Sequence, residues 1–390
     1  MFVSPSRAVM QFSTSFIPDI RFGRGLFGSL ADMVKNVEGT RAVLVVMDGF
    51  LAARGLAKEL AGQLADAGIE PRLYSEFSGE PKLQYLRDAS AMAAGADVVI
   101  GVGGGSALDI AKIAACCGAS GEDPMFYALA ANPLPKNPLK KIMVPTTAGT
   151  GSETSATNIF AGPSGKKLWI WGAQTKADLV LLDPELTISL PPHLTAWCGM
   201  DAFIHAFEAA TNRNAHTGAK LYAHEAMRLV AGSLEAAVKA PGNIEARGRV
   251  LLGSCYAGIA IDNCGTAIAH NISHALAGIG AVHHGLATAL GFEATLSWLV
   301  ERETPDLNEA ARAIGLSEAA QLPGFVSELM DRCGVERALP KAFADFSAED
   351  LAKEMRAPEN QPMRRSTIHE VTDADIEVFA AKMMALAITP

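Results

Sequence analysis

The sequence predicts an α/β protein in which an N-terminal domain built on a parallel sheet, residues 1–190, precedes an all-helical C-terminal domain, residues 191–390. A chain of 390 residues is longer than one hydrophobic core usually organises, which predicts two domains. In the first half, apolar strand-like segments alternate with helix-like segments. After the pair Pro191-Pro192 the strand patterns fade, and long stretches rich in Ala and Leu begin.

Short apolar runs bounded by turn residues mark the strands of the first domain. We predict strands at 41–47, 70–77, 97–101 and 141–144, with helices at 56–67 and 82–94. Strands that are apolar throughout are typical of a parallel sheet covered by helices on both faces, where ligands bind beyond the carboxyl ends of the strands. In the second domain, the segments 196–211 and 219–240 are predicted helices.

Composition and charge argue against several classes of function. Hydrophobic residues make up 49% of the chain and charged residues 19%, as in ordinary globular proteins. The net charge of -9 provides no general attraction to nucleic acid or anionic lipid, so we expect neither partner. The six cysteines form no C-x-x-C pair, which predicts free thiols. The N-terminus lacks a signal-peptide pattern, which predicts a cytoplasmic location. We also expect a homodimer or a higher homo-oligomer.

A glycine cluster follows the strand at 97–101. Gly104, Gly105 and Ser106 lead into a helix that carries Asp109, which suits a phosphate at the helix N-terminus. The alternative is a tight turn that is glycine-rich for steric reasons alone. The cluster departs from G-x-G-x-x-G, and Asp48, the candidate ribose-binding acid, ends an earlier strand. A bound dinucleotide would therefore require a variant of the usual fold.

A second loop of small residues, 145–153 (PTTAGTGSE), follows the strand at 141–144. The hydroxyls of Thr146, Thr147 and Thr150, together with the glycines, suit a diphosphate or a ribose. The alternative is a hydroxyl-rich turn that bonds its own backbone.

Four of the nine histidines fall within one short segment of the second half. Asp201 and His205 are four residues apart and therefore share a helix face, and His270 and His274 repeat that spacing. His284 follows, and we expect it in a loop. One carboxylate with several imidazoles suits Fe(II), Zn(II), Mn(II), Co(II) or Ni(II). The alternative is that these histidines are ordinary core or surface residues.

The two loops and the histidine set together resemble the iron-containing (group III) alcohol dehydrogenase family over nearly the whole chain. The matching segments are 103–112 (GGGSALDIAK), 145–153 (PTTAGTGSE), 199–209 (GMDAFIHAFEA) and 269–285 (AHNISHALAGIGAVHHG). The resemblance implies a dehydroquinate synthase-like superfamily fold. In that fold a dinucleotide-binding α/β domain and a helical domain enclose the active site in the cleft between them.

The resemblance also implies roles for individual residues. The implied metal ligands are Asp201, His205, His270 and His284. His274 is the implied catalytic residue, close to the substrate and the nicotinamide. The implied cofactor-binding residues are Asp48, Gly104, Gly105, Ser106, Asp109, Thr146, Thr147, Thr150 and Lys167, of which Lys167 matches only with a gap. The chain departs from the family at Ala275 and His283, where prolines are usual, and these departures concern the shape of the substrate pocket.

We therefore expect a metal-dependent alcohol dehydrogenase that transfers a hydride between a small alcohol or aldehyde and NAD. Fe(II) is the expected metal and Zn(II) the alternative, with the ion acting as a Lewis acid. Asp48 favours NAD over NADP, because a carboxylate accepts from a ribose 2′-hydroxyl and repels a 2′-phosphate. The alternatives are a glycerol dehydrogenase- or maleylacetate reductase-like oxidoreductase, a dehydroquinate synthase-like lyase, or a non-catalytic dinucleotide- or metal-binding protein.

Overall fold

A computed structural model describes residues 11–37 and 42–389 of the protein. Its first half contains the strands β1 (Asp19–Phe22), β2 (Ala42–Met47), β3 (Glu70–Tyr74), β4 (Val98–Gly103), β5 (Lys140–Pro145), β6 (Thr157–Ala161), β7 (Lys167–Trp171) and β8 (Leu179–Leu182). Six of them form one sheet in the order β1-β8-β5-β4-β2-β3, and every pairing in it is parallel. The parallel sheet predicted for the first domain is confirmed.

All four predicted strands are present, with small shifts at their ends. The strand predicted at 70–77 is β3, which ends at Tyr74, and β4 extends to Gly103. Residue 41, predicted as the start of β2, lies outside the described residues. The strands β1 and β8, and the antiparallel pair β6–β7, were not predicted.

Helices cover both faces of the sheet. They are α1 (Leu30–Lys35), α2 (Gly49–Ala53), α3 (Leu56–Asp66), α4 (Leu83–Ala93), α5 (Gly105–Ser120) and α6 (Pro124–Tyr127). Alternate residues of β2 enter different cores: Val43 and Val45 pack with α1 and α3, whereas Leu44 and Val46 pack with α4 and α5. The second of these cores continues into the helical half of the chain, so the sheet and the helices are packed together.

The C-terminal half is helical, as predicted. It contains α7 (Pro192–Thr211), α8 (Thr217–Ala231), α9 (Leu234–Lys239), α10 (Ile244–Cys264), α11 (Ile268–Ile279), α12 (His284–Val300), α13 (Pro305–Ala313), α14 (Leu322–Arg332), α15 (Ala348–Met355), α16 (Gln361–Ser366) and α17 (Asp373–Met384). The predicted helix at 219–240 is divided between α8 and α9. A short parallel pair, β9 (Ala338–Leu339) with β10 (Ala387–Ile388), is the exception to the all-helical prediction.

The domain boundary between residues 190 and 191 stays a prediction, placed between the end of β8 and the start of α7. All six cysteines are buried and free, as expected. Within 11–37 and 42–389, no helix has both the length and the apolarity required to cross a bilayer.

Candidate active site and metal centre

A cavity of about 870 Å³ lies between the carboxyl ends of the central strands and the helices α7, α11 and α12. Every site residue predicted from the sequence lines this cavity: Asp48, Gly104, Gly105, Ser106, Asp109, Thr146, Thr147, Thr150, Lys167, Asp201, His205, His270, His274 and His284. The chain folding therefore brings the two loops and the histidine set to one place. The roles of these residues stay predictions.

Sheet order explains why Asp48 lies beside the glycine loop although it belongs to an earlier strand. β2 pairs directly with β4, so the carboxyl end of β2 adjoins Gly103. Asp48 begins α2 as its N-cap residue, and its Oδ1 accepts a hydrogen bond from the amide of Phe50 at 2.8 Å. This bond holds the carboxylate at the rim of the cavity and leaves Oδ2 for a further donor.

The absence of side chains on the glycine loop allows two loops to meet. A Cβ at Gly103, where φ is +151°, would lie 2.7 Å from the Cβ of Ala107. A Cβ at Gly105 would lie 2.8 Å from the Cγ2 of Thr150. Because α5 begins at Gly105, the free amides of its first turn lie beside the hydroxyls of the 145–153 loop. This arrangement suits a diphosphate.

Asp109 lines the cavity, but bonds within the protein occupy its carboxylate. Oδ1 accepts from the hydroxyl of Ser152 at 2.5 Å, and Oδ2 accepts from the amide of Ile159 at 2.9 Å. Lys112, one turn further along α5, was not predicted from the sequence. It is fully buried, and its ammonium lies 3.4 Å from Asp109 Oδ1 and donates to three backbone carbonyls between residues 152 and 157. Both side chains therefore hold the 145–153 loop in place.

The four predicted metal ligands converge. Asp201, His205, His270 and His284 each offer one ligand atom, and these atoms all lie within 4.8 Å of one another. Asp201 Oδ1 is 3.5 Å from the Nε2 atoms of both His270 and His284. Asp201 and His205 lie one turn apart on α7, and His270 lies on α11, as the spacing predicts. The prediction that His284 lies in a loop is wrong, because it is the first residue of α12.

Two of the histidine rings are oriented through their Nδ1 atoms by groups outside the ligand set. His205 Nδ1 lies 3.2 Å from the carbonyl oxygen of Gly149. This approach requires a glycine, because a Cβ there would lie 2.9 Å from the backbone of Cys198 on α7. His284 Nδ1 lies 3.0 Å from the hydroxyl of Ser273 on α11. Each Nε2 atom is thereby left available to a metal.

His270 is oriented by Glu208, a residue that sequence reasoning missed. Its Nδ1 lies 2.6 Å from Glu208 Oε2, and both side chains are buried. A signal for Glu208 exists in the sequence: it follows Asp201 by seven residues, about two helical turns, within the 199–209 segment.

The residues fit a divalent metal. Asp201 Oδ1 and His270 Nε2 are both buried without a hydrogen-bond partner. Leaving a buried polar atom without a hydrogen-bond partner costs about 1–3 kcal/mol of folding free energy, and more for a charged group. A bound metal ion would satisfy both atoms. One carboxylate and three imidazoles are donors that iron and zinc both accept.

Burial and neighbouring charges shift the pKa values of the predicted ligands. Burial acts to raise the pKa of Asp201, but the neighbouring histidines outweigh it and lower that pKa. Burial likewise acts to lower the pKa of His270, but Glu208 and Asp201 outweigh it and raise that pKa to about 9. Burial lowers the pKa of His284 to about 3. The carboxylates and imidazoles of the site therefore interact strongly with one another.

His274 lines the cavity one turn after His270, with its ring centroid 5.8 Å from that of His284. It is not one of the four converging ligands. Burial first, and then the charge of Lys167, lower the pKa of His274 well below its usual value. Lys167, on β7, lines the same cavity and pairs with Glu80 at 2.8 Å.

Comparison with known proteins identifies the family. A model of iron-containing alcohol dehydrogenases matches residues 18–184. A model of the C-terminal region of Fe-containing alcohol dehydrogenases matches residues 195–383. The chain belongs to the iron-containing alcohol dehydrogenase family. Membership makes the protein an oxidoreductase of the alcohol dehydrogenase type and disfavours the lyase and the non-catalytic alternatives.

Among its relatives, long-chain-alcohol dehydrogenase 1 of Geobacillus thermodenitrificans is 32% identical over 87% of each chain. The sulfoacetaldehyde reductase of Bilophila wadsworthia is 37% identical over 71% of this chain and 72% of the relative. Among solved structures, the sulfoacetaldehyde reductase of Bifidobacterium kashiwanohense in complex with NAD+ superposes with a TM-score of 0.88. It is 26% identical, and the match covers 96% of this chain and 99% of that one.

Proposed function

We propose that this alcohol dehydrogenase interconverts a small alcohol and its aldehyde with NAD as the hydride carrier and with one divalent metal per chain. One observation carries the proposal: a single cavity is lined both by four converging metal-type ligands and by a glycine loop with an acidic residue beside it. The donor set and the family support Fe(II), with Zn(II) as the alternative. A cytoplasmic location and a homo-oligomeric state belong to the same proposal.

Asp201, His205, His270 and His284 would hold the metal, and the amides at the start of α5 with the hydroxyls of the 145–153 loop would hold the cofactor diphosphate. When bound, the metal supplies a Lewis acid for the substrate oxygen, and the nicotinamide gives or takes the hydride. Asp48 Oδ2 would accept from the adenosine ribose, which favours NAD over NADP. The relative solved with NAD+ supports the choice of cofactor.

His274 would take the proton that the alcohol loses, and return it when the aldehyde is reduced. The contact of its ring with that of His284, 5.8 Å between centroids, supports this role, because it puts the imidazole beside the predicted metal ligands. The backbone of α11 holds His274 and the ligand His270 one turn apart, so the proton acceptor and the metal keep a constant spacing.

The names of the relatives include long-chain alcohols, methanol, 1-propanol and sulfoacetaldehyde, which differ in chain length and charge. The proposal is therefore tested with a panel of alcohols and aldehydes of these kinds, assayed by NADH absorbance. Metal-stripped enzyme should be inactive and should recover with Fe²⁺ or Zn²⁺. H270A should lose metal and turnover together. Full turnover in thoroughly stripped protein, or no turnover with any member of the panel, would overturn the proposal.

A further inference from the structure

Glu208 is a buried carboxylate that lies outside the set of metal ligands. It is on α7 and only 2% exposed. Three hydrogen bonds reach its two oxygens. Oε2 accepts from the amide of Ala267 at 2.6 Å and lies 2.6 Å from His270 Nδ1, while Oε1 accepts from the amide of Ala269 at 2.8 Å. A buried charge with this many partners is held in one position.

Two of those bonds cap α11 from a different helix. The N-cap residue of α11 is Ala267, whose methyl side chain offers no acceptor to the free amides of the first turn. Glu208 supplies both acceptors, and its negative charge also interacts favourably with the helix dipole. The start of α11 is thereby tied to α7, the helix that carries Asp201 and His205.

The third bond sets the state of His270. A carboxylate accepts hydrogen bonds but does not donate them, so the contact at 2.6 Å places a proton on Nδ1. In a neutral ring the lone pair is then on Nε2, the atom that lies 3.5 Å from Asp201 Oδ1. Metal coordination needs that tautomer, because only a deprotonated nitrogen binds a cation.

Glu208 also affects other residues of the site through α11. Ser273, which contacts His284 Nδ1, and His274, the proposed proton acceptor, both follow on this helix. A change in the position or tilt of α11 would therefore move His270, Ser273 and His274 together.

We propose that Glu208 is a positioning residue of the metal centre: it holds His270 as the Nδ1–H tautomer and fixes α11 against α7. This inference rests on the proposed function only in that the site holds a divalent metal. The competing explanation is that Glu208 merely caps a helix and contributes stability alone.

The test measures metal binding directly, without turnover. E208Q preserves size but removes the charge, and its amide group cannot accept from all three present donors. The control is E293Q on α12, which removes a partly buried carboxylate paired with Arg337, away from the metal ligands. For each purified variant, Zn²⁺ affinity is measured by competition with a chelating indicator, and Co²⁺ geometry by the visible absorption of the loaded protein.

E208Q should bind Zn²⁺ about 10–100-fold more weakly than the wild type and show an altered Co²⁺ spectrum. E293Q should match the wild type in both, even if its unfolding temperature falls. In isotope-labelled Zn²⁺ protein, the His270 Nδ1–H proton resonance should shift or disappear only in E208Q. Unchanged Zn²⁺ affinity and an unchanged Co²⁺ spectrum in a less stable E208Q would overturn the proposal and leave a helix cap.

If E208Q does not fold, E208D serves the same purpose, because it retains the charge but withdraws it by one methylene. E208D should then show weakened Zn²⁺ affinity relative to E293Q, and wild-type affinity in E208D would overturn the proposal. The outcome is distinguishable from failure of the proposed function. An enzyme that binds Zn²⁺ through these residues but oxidises no alcohol would refute the function and leave the assignment of Glu208 intact.

Discussion

Glu153 makes the stability of the fold depend on pH. It lies in the 145–153 loop, is 2% exposed, and its Oε1 has no hydrogen-bond partner. Burial raises its pKa from 4.5 to about 7, against the opposing charge of the buried Lys112. Because the folded pKa is the higher one, the folded state holds this proton more tightly than the unfolded state does. The contribution to stability is therefore complete below the unfolded pKa and is lost as the pH rises through the folded pKa.

The size of the effect follows from the two pKa values. One pKa unit corresponds to about 1.4 kcal/mol, so a rise from 4.5 to about 7 corresponds to roughly 3 kcal/mol of stability lost between acidic and alkaline pH. E153Q removes the titration and keeps a neutral side chain of the same size. At about pH 5 the variant and the wild type should be similarly stable, and at about pH 8 the variant should be more stable by up to about 3 kcal/mol.

The assay is urea unfolding followed by tryptophan fluorescence at a series of pH values, with the free energy taken from the first transition. The control is E122Q, which changes an exposed carboxylate and should show no pH-dependent difference from the wild type. A difference between E153Q and the wild type that is constant with pH, or that grows towards acidic pH, would refute the reasoning about the buried carboxyl group.

Three further predictions concern the active site. D48A should narrow the preference for NAD over NADP, because the variant no longer repels the 2′-phosphate. The preference is measured as the ratio of kcat/KM for the two cofactors, and a wild type that prefers NADP would contradict the assignment of Asp48. H274A should retain the metal, while its turnover falls about 10²–10⁴-fold and its pH–rate profile loses or shifts a limb. Loss of metal in H274A, with metal retained in H284A, would mean that His274 is the metal ligand and His284 the proton acceptor. G105A should weaken NAD binding in calorimetry and leave Zn²⁺ affinity unchanged, because its Cβ would lie 2.8 Å from Thr150; unimpaired NAD binding would show that this close approach is unnecessary.

Local periodicity accounts for what could be predicted. Asp201 with His205, and His270 with His274, are four residues apart, and any helix brings such residues to one face. The apolar strands 41–47, 97–101 and 141–144 likewise predict neighbours in a parallel sheet whose carboxyl ends share an edge. The sequence thus determines the helical pairs, the sheet class and the glycine turn, because each depends on residues close together in the chain.

The tertiary structure decides the contacts between residues that are distant in the chain. Strand order places Asp48 beside Gly103, although the chain order suggests an unusual dinucleotide site. Packing of α7 on α11 brings Glu208 to His270, 62 residues away. The buried ammonium of Lys112 meets its three carbonyl partners, at residues 152, 155 and 157, only when the chain around the end of the 145–153 loop packs on α5. Such contacts follow no sequence period, since they depend on how whole elements pack, and only the folded chain determines them.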